Sequence, residues 1–152
     1  MFNVLFVCTG NSCRSPMAEY ILKHLAKEGG VKGLCVKSCG TNVSAEPRIS
    51  SKAKKVLSEI GIKTRFKPKQ MSAELASWAD VVICMTLENK ASFMLEFENH
   101  DKVFTFSEFT GIENVADPYG KDIKEYQKTA NTIYKGCVLL IRKLLKEGKV
   151  YV

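Results

Sequence analysis

Cys8 and Arg14 have the residue types and the spacing that nucleophilic attack on a bound phosphate group requires. A cysteine thiolate is a strong nucleophile, and a planar guanidinium binds two phosphate oxygens at once. The intervening Gly10 and Asn11 tolerate the positive φ of a tight backbone cradle, in which successive N–H groups converge on one oxyanion. These N–H groups, a helix dipole and Arg14 would favour the thiolate form of Cys8. The predicted phosphate-binding set is Thr9, Gly10, Asn11, Ser12, Cys13, Arg14 and Ser15.

Asp117 is the leading candidate for a general acid. Expulsion of an alkoxide or phenoxide from phosphorus is slow unless an acid protonates the leaving oxygen. Asp117 lies in the segment Asp117-Pro118-Tyr119-Gly120, and Pro118 stiffens the turn that carries it. Because a long irregular segment surrounds this turn, we expect it to reach over the loop that follows Cys8.

Strands alternate with helices along the chain, which predicts a parallel sheet. Phe2–Cys8 is an apolar run typical of a buried strand, and Pro16 suits the first turn of a helix that extends to Glu28. Further strands are predicted at 34–38, 81–85 and 102–106, and further helices at 51–60, 72–79, 88–97 and 123–147. Residues 63–71 are expected to be irregular, and residues 107–122 to form a long loop. We therefore expect one α/β domain over residues 1–152, with a four-stranded parallel sheet flanked by helices on both faces and a phosphate-binding loop after the first strand.

The composition is that of an ordinary globular protein, with 45% hydrophobic and 26% charged residues in 152. The net charge of +7 comes from scattered lysines and arginines without a run of five, which indicates a solvated basic surface rather than a nucleic-acid site. Met1–Val7 is too short for a signal peptide, and no apolar stretch has membrane-spanning length. We expect a cytoplasmic monomer, with no membrane or nucleic-acid partner, whose six cysteines are reduced.

Two segments of the chain, VLFVCTGNSCRSPMAE (Val4–Glu19) and DPYGK (Asp117–Lys121), together resemble the low-molecular-weight protein-tyrosine phosphatase family. The likeness covers nearly the whole chain and includes 38–41, 81–86 and the final helix. It implies that Cys8 forms a cysteinyl-phosphate, while Asp117 protonates the leaving group and then activates water. It also implies that Ser15 hydrogen-bonds the nucleophile, that Asn11 locks the loop, and that Tyr119 lines the mouth of the site. Phosphorylated proteins would be the partners, with no metal or organic cofactor.

The resemblance has two further consequences. The cysteine that matches Cys13 in this family can form a disulfide with the nucleophile, which protects it reversibly from over-oxidation. The family often places a histidine in the segment that corresponds to Thr64–Met71, where it supports the loop asparagine. Phe66 aligns with that histidine here, which leaves the support of Asn11 an open question.

Several other functions share parts of this pattern. We favour phosphotyrosine hydrolysis because Tyr119 offers an aromatic wall beside the acid. Protein phosphoarginine hydrolysis is the alternative, because Ser12 resembles the small polar residue that arginine phosphatases of the family carry there. Thioredoxin-coupled arsenate reduction would need two more cysteines close together, whereas Cys84 is followed only by Cys137.

Two further hypotheses give Cys8 no catalytic role. A zinc site built from Cys8, Cys13, Cys35 and Cys39 has looser spacings than paired Cys-x2-Cys sites and leaves Arg14 without a role. A silent module that binds phosphorylated partners or nucleic acid is disfavoured, because nucleophile, arginine and acid are all present. Cys84 and Cys137 are expected to be packing residues.

Overall fold

The computed structural model describes residues 1–98 and 100–152, and its centre is a four-stranded parallel sheet. The strands are β1 (Phe2–Cys8), β2 (Leu34–Gly40), β3 (Val81–Cys84) and β4 (Val103–Thr105), and they lie side by side in the order β2-β1-β3-β4. The predicted parallel sheet of four strands is therefore confirmed. Strand β2 is longer than expected, since its pairing with β1 continues as far as Cys8 and Gly40.

Within residues 1–98 and 100–152, six α-helices connect and cover these strands. They are α1 (Arg14–Glu28), α2 (Ser51–Glu59), α3 (Ala73–Trp78), α4 (Leu87–Glu96), α5 (Phe106–Thr110) and α6 (Ile123–Lys146). Five of them begin with a side-chain cap that accepts a hydrogen bond from a backbone N–H of the first turn, and these capping residues are Ser50, Ser72, Thr86, Thr105 and Asp122. Helix α1 lacks such a cap, because the Cys13 side chain at its N-terminus accepts no bond of this kind. The backbone N–H groups in the first turn of α1 are therefore not bound by a capping side chain.

The sheet has a hydrophobic core on each face, as strands buried on both sides require. The side chains of β1 point alternately to the two faces of the sheet. Val4, Phe6 and Cys8 pack in the larger core, whereas Leu5 and Val7 pack in the smaller one. Helices α1, α2, α5 and α6 contribute to the larger core, and α3 and α4 to the smaller. The prediction of helices on both faces is thus confirmed.

The prediction of a long loop before α6 is partly wrong. Residues 107–122 were expected to be irregular throughout, but Phe106–Thr110 forms α5. The reason is a capping box: the Thr105 hydroxyl accepts from the Glu108 N–H, and the Glu108 carboxylate accepts from the Thr105 N–H. Phe106 and Phe109 are buried, so the short helix also fills the core beneath α6.

The order of the strands places a crevice at the carboxyl end of β1. The chain leaves β1 for β2 on one side and later returns to β3 on the other, which makes this edge a topological switch point. Cys8 is the last residue of β1 and therefore lies at the position where such sheets bind ligands. In the described parts of the chain, no helix combines the length and the apolar composition needed to cross a membrane.

Candidate active site

The loop between β1 and α1 presents free backbone donors beside a buried thiol. Cys8 is 1% exposed, and α1 begins only six residues later at Arg14. Within the described residues, the backbone N–H groups of residues 9–13 donate no hydrogen bond to the rest of the protein. The first turn of α1 also contains no acidic residue. These donors and the positive end of the helix dipole suit an anion.

The carbonyl side of the same loop is held from behind by the segment after β2. Thr41 and Asn42 donate 2.9 Å hydrogen bonds to the carbonyls of Cys8 and Thr9. A Cβ atom on Gly40 would lie 2.5 Å from the carbonyl oxygen of Thr9, a distance that real Cβ atoms do not reach. Only glycine therefore allows β2 to approach the loop this closely.

Asn11 gives the loop its left-handed turn. Its φ is 52°, whereas Gly10, which would also tolerate this conformation, does not have a positive φ. Asn11 is fully buried and donates through Nδ2 to the hydroxyls of Ser15, at 2.7 Å, and Ser38, at 3.1 Å.

A backbone amide supports the Asn11 side chain at the place where the resemblance implied a histidine. The N–H of Lys69 donates a 2.9 Å hydrogen bond to Oδ1 of Asn11. Phe66 packs edge-on against the ring of Tyr20, with ring centroids 6.1 Å apart, and takes no part in this network. All three hydrogen bonds of the buried Asn11 side chain are therefore made without a histidine.

A chain of hydrogen bonds leads from Asn11 to the thiol. The Ser15 hydroxyl accepts from Asn11 and lies 2.9 Å from Sγ of Cys8, so that its own proton can point at the sulfur. On the other side, the Ser38 hydroxyl donates a 2.8 Å bond to the buried carboxylate of Glu19. Lys23 pairs with that carboxylate at 2.6 Å.

Arg14 is buried, and its guanidinium makes few contacts with the described residues. Its Nη1 donates to the Val115 carbonyl at 3.2 Å, and its Nη2 lies 3.4 Å from the Thr9 hydroxyl. The buried Nε has no hydrogen-bond acceptor among the described residues. A buried donor of this kind is costly unless it binds something, and a bidentate oxyanion satisfies both Nε and Nη2.

Asp117 lies directly over this loop. Its Oδ2 is 3.7 Å from Nη2 of Arg14, and its Oδ1 is 3.7 Å from Sγ of Cys13. The Tyr119 N–H donates a 3.0 Å hydrogen bond to Oδ1, which fixes the turn, and Pro118 is buried beneath it. The carboxyl group is about half exposed, so both substrate and water can reach it. The structure thus brings together the thiol, the guanidinium and the carboxyl group.

Comparison with known proteins identifies this arrangement. The family described as "Low molecular weight phosphotyrosine protein phosphatase" matches residues 3–150. The chain belongs to this family.

Members with two kinds of substrate in their names are similar to this phosphatase. The protein-arginine-phosphatase of Bacillus subtilis (strain 168) is 35% identical over 150 residues, which is 97% of either chain. The solved low molecular weight protein tyrosine phosphatase from T. tengcongensis is 41% identical, covers 95% of this chain and 100% of its own, and has a TM-score of 0.88. A mutant of the YwlE arginine phosphatase with a phosphorylated active site serine is 34% identical, with a TM-score of 0.90 and coverage of 96% and 97%.

An open cleft of about 450 Å³ lies beside the loop that follows Cys8. Tyr119 lines this cleft and is 81% exposed. Ser12, the loop residue that distinguishes the two substrate hypotheses, also faces this cleft. The cleft continues past Ser12 towards the N-terminal end of α2.

The remaining cysteines of the phosphatase are mostly buried thiols. Burial, and then the neighbouring Cys8, raise the pKa of Cys13 and of Cys39 to about 12. Burial also raises the pKa of Cys84 and Cys137, which pack in the two cores. Cys39 packs in the smaller core and Cys8 in the larger, on opposite faces of the sheet. Among the described residues no group of three potential ligands could hold a metal ion.

Sequence reasoning did not find the groups that hold the loop from other parts of the chain. Asn89, in the first turn of α4, donates a 3.1 Å bond to the Thr9 hydroxyl, and its Oδ1 accepts from Thr86. The Val115 carbonyl and the Lys69 amide act through backbone atoms, which leave no trace in the residue type. Glu19 could have been found from the sequence, since a carboxylate on the buried face of a helix needs a partner.

Proposed function

We propose that this protein hydrolyses phosphotyrosine in proteins through a cysteinyl-phosphate on Cys8. The observation that carries this proposal is the unpartnered Nε of the buried Arg14, beside a loop of free N–H groups and the Cys8 thiol. Together they form a receptor for a dianionic phosphate whose phosphorus faces a nucleophile. No group in this arrangement requires a metal ion or an organic cofactor.

In the first step, the Cys8 thiolate attacks phosphorus and the bond between phosphorus and the phenolic oxygen breaks. The loop N–H groups and Arg14 hold the three other oxygens of the phosphoryl group while charge moves onto them. Protonated Asp117 gives its proton to the departing oxygen, so that tyrosine leaves as a neutral phenol. The exposed ring of Tyr119 packs against the substrate ring at the mouth.

In the second step, Asp117, now a carboxylate, takes a proton from a water molecule that attacks phosphorus. The bond between sulfur and phosphorus breaks, and inorganic phosphate leaves. The departing thiolate of Cys8 receives the hydrogen bond of the Ser15 hydroxyl, 2.9 Å away, which is itself oriented by Asn11. Ser15 therefore lowers the cost of releasing the sulfur as an anion.

The test is a trapped intermediate. Acid quenching during turnover of a phosphotyrosine peptide should leave one phosphoryl group on the peptide that contains Cys8, detected by mass spectrometry. Cys8→Ser should fold, bind vanadate less tightly and show no turnover of p-nitrophenyl phosphate. Turnover by Cys8→Ser at the wild-type rate would show that another residue is the nucleophile.

Phosphoarginine is the second candidate substrate, and two observations favour it. Ser12 places a small hydroxyl-bearing residue at the cleft, next to the predicted phosphate site. A protein-arginine-phosphatase is also among the similar proteins, at 35% identity over almost the whole chain. A hydroxyl at this position can assist attack on a bond between nitrogen and phosphorus.

The two substrates are distinguished by offering phosphotyrosine and phosphoarginine in the same peptide sequence and comparing kcat/KM. A higher value for phosphotyrosine supports the main proposal. Ser12→Val removes the hydroxyl and provides the matched control. If phosphoarginine is the natural substrate, this variant should lose its turnover while keeping the turnover of p-nitrophenyl phosphate; if phosphotyrosine is, the wild-type preference should survive.

A further inference from the structure

The cleft beside the phosphate-binding loop extends well beyond the reacting phosphate. Ser12 lies at the loop end, and Arg48, Ser50, Lys52, Tyr119 and Tyr126 line the rest. The Ser50 N–H donates a 2.7 Å hydrogen bond to the Ser12 carbonyl, so the floor of the cleft is joined to the loop through the backbone. A molecule seated in the cleft is therefore held at a fixed distance from the phosphate site.

Two cations in this cleft have no anionic partner. Arg48 and Lys52 are both exposed, and neither forms an ion pair within the described residues. Lys52 is held in place, because its Nζ donates to the Lys121 carbonyl and lies 5.8 Å from the centre of the Tyr126 ring. A cation fixed in this way loses less side-chain entropy when it binds an anion.

The backbone adds to this positive potential. Helix α2 begins at Ser51, beside Lys52, and its first turn contains no acidic residue that would offset the helix dipole. The carboxylate of Asp122, close to Lys121 in the chain, caps α6, where its Oδ1 accepts from the Glu125 N–H at 3.1 Å. The cleft is thus suited to a carboxylate supplied by another molecule.

We propose that this cleft binds an acidic side chain of the substrate protein, close in sequence to the phosphorylated residue. The proposal rests on the proposed function, because it requires a phosphorylated side chain on the loop Thr9–Ser15. An extended chain advances roughly 3.3–3.6 Å per residue, so a residue one to three positions away reaches the region beside Ser12. Arg48 and Lys52 would then select substrates with Asp or Glu at one of these positions.

The experiment uses pairs of phosphotyrosine peptides that differ only by Glu or Gln at each of the three positions on either side. At one position at least, kcat/KM should be about threefold to tenfold higher for Glu, as expected for one or two exposed ion pairs. The ratio of kcat/KM for the Glu peptide to kcat/KM for the Gln peptide should fall as salt is raised, because exposed charges are screened. In the double variant Arg48→Gln, Lys52→Gln the ratio should fall to about one.

Lys55 provides the matched control, because it is exposed on the same helix but does not line the cleft. Lys55→Gln removes the same charge and should keep the wild-type ratio. Equal kcat/KM for every Glu and Gln pair in the wild-type protein, or an unchanged ratio in the double variant, would overturn the proposal and leave the phosphatase function intact. Failure of the wild-type protein to dephosphorylate either peptide would instead refute the proposed function itself.

Discussion

The Oδ1 atom of Asn11 accepts a 2.9 Å hydrogen bond from the backbone N–H of Lys69, 58 positions along the chain. This bond ties the left-handed turn of the loop to the irregular segment before α3. The Nδ2 of Asn11 donates to the hydroxyls of Ser15 and Ser38, so each polar atom of this buried side chain has a partner. The shape of the loop therefore depends on contacts that only the complete fold can provide.

Asn11→Gly and Asn11→Ala should separate the two roles of this residue. Both variants leave buried partners unsatisfied, which we expect to cost about 1–3 kcal/mol in the free energy of unfolding. Alanine should cost roughly 1–2 kcal/mol more, because it must also adopt the φ of 52° that glycine tolerates. Urea unfolding of both proteins measures the difference. Equal stability of the two variants would mean that the loop has relaxed to another conformation.

Asp117→Asn should separate the acid from the rest of the site. Asparagine keeps the acceptor for the Tyr119 N–H but has no proton to give. The kcat for a phosphotyrosine peptide should fall by a factor of about 100 or more, whereas p-nitrophenyl phosphate, with its better leaving group, should be affected much less. A plot of kcat against leaving-group pKa should become steeper. An equal loss for both substrates would remove Asp117 from the role of acid.

Cys13 should protect Cys8 during oxidation by peroxide. Peroxide oxidises the Cys8 thiolate to a sulfenic acid, and the Cys13 thiol then displaces water and forms a disulfide, so two thiols are oxidised and one peroxide is reduced. Burial raises the pKa of Cys13 to about 12, so this thiol is protonated at neutral pH and is itself a poor target for peroxide. Mass mapping should find the Cys8–Cys13 bridge, and dithiothreitol should restore activity.

Cys13→Ser is the control for this oxidation. It should lose activity irreversibly under the same peroxide treatment, because the sulfenic acid on Cys8 proceeds to higher oxidation states. A variant that recovers as fully as the wild-type protein would show that Cys13 has no protective role.

Stability should decrease at alkaline pH because of the buried thiols. The pKa of Cys39 is raised from 9.0 to about 12 by burial, so the unfolded chain releases this proton above pH 9 while the folded protein retains it. Each such thiol therefore lowers the free energy of unfolding by up to about 1.4 kcal/mol per pH unit in this window. Urea titrations in the presence of reductant should show a smaller slope between pH 9 and 12 for Cys39→Ala. An identical slope in the wild-type protein and in Cys39→Ala would show that Cys39 does not contribute to the loss of stability at alkaline pH.

The parts of the site that are contiguous in sequence were predictable, and those that assemble from distant elements were not. Cys8 and Arg14 lie on one short loop, where the strand before it and Pro16 after it define the geometry. The loop is completed by Asn89 from α4 and by the Val115 carbonyl, and no local pattern connects either to it. Distances between elements arise from packing, which residue spacing does not encode.

The fold, like the site, has parts that the sequence predicts and parts that it does not. Parallel strands and covering helices followed from apolar runs and glycine stops, because the central strands β1 and β3 are buried on both faces over most of their length. Helix α5 was missed although Thr105 and Glu108 form a capping box, since a helix of five residues has too few apolar positions for a periodic signal. Both Gly10 and Asn11 tolerate a left-handed conformation, and only the structure shows that Asn11 is the loop residue that adopts it.

The bare α-carbon of Gly40, pressed against the carbonyl of Thr9, ties the reactive loop to its neighbouring strand. Anyone who transplants the segment from Cys8 to Pro16 into another parallel sheet must therefore also supply an adjacent strand that ends in glycine. A methyl group there would push the loop outward and move the thiol away from Ser15. The loop alone is therefore not a unit that can be grafted, because its backbone fits only against a neighbouring strand of this kind.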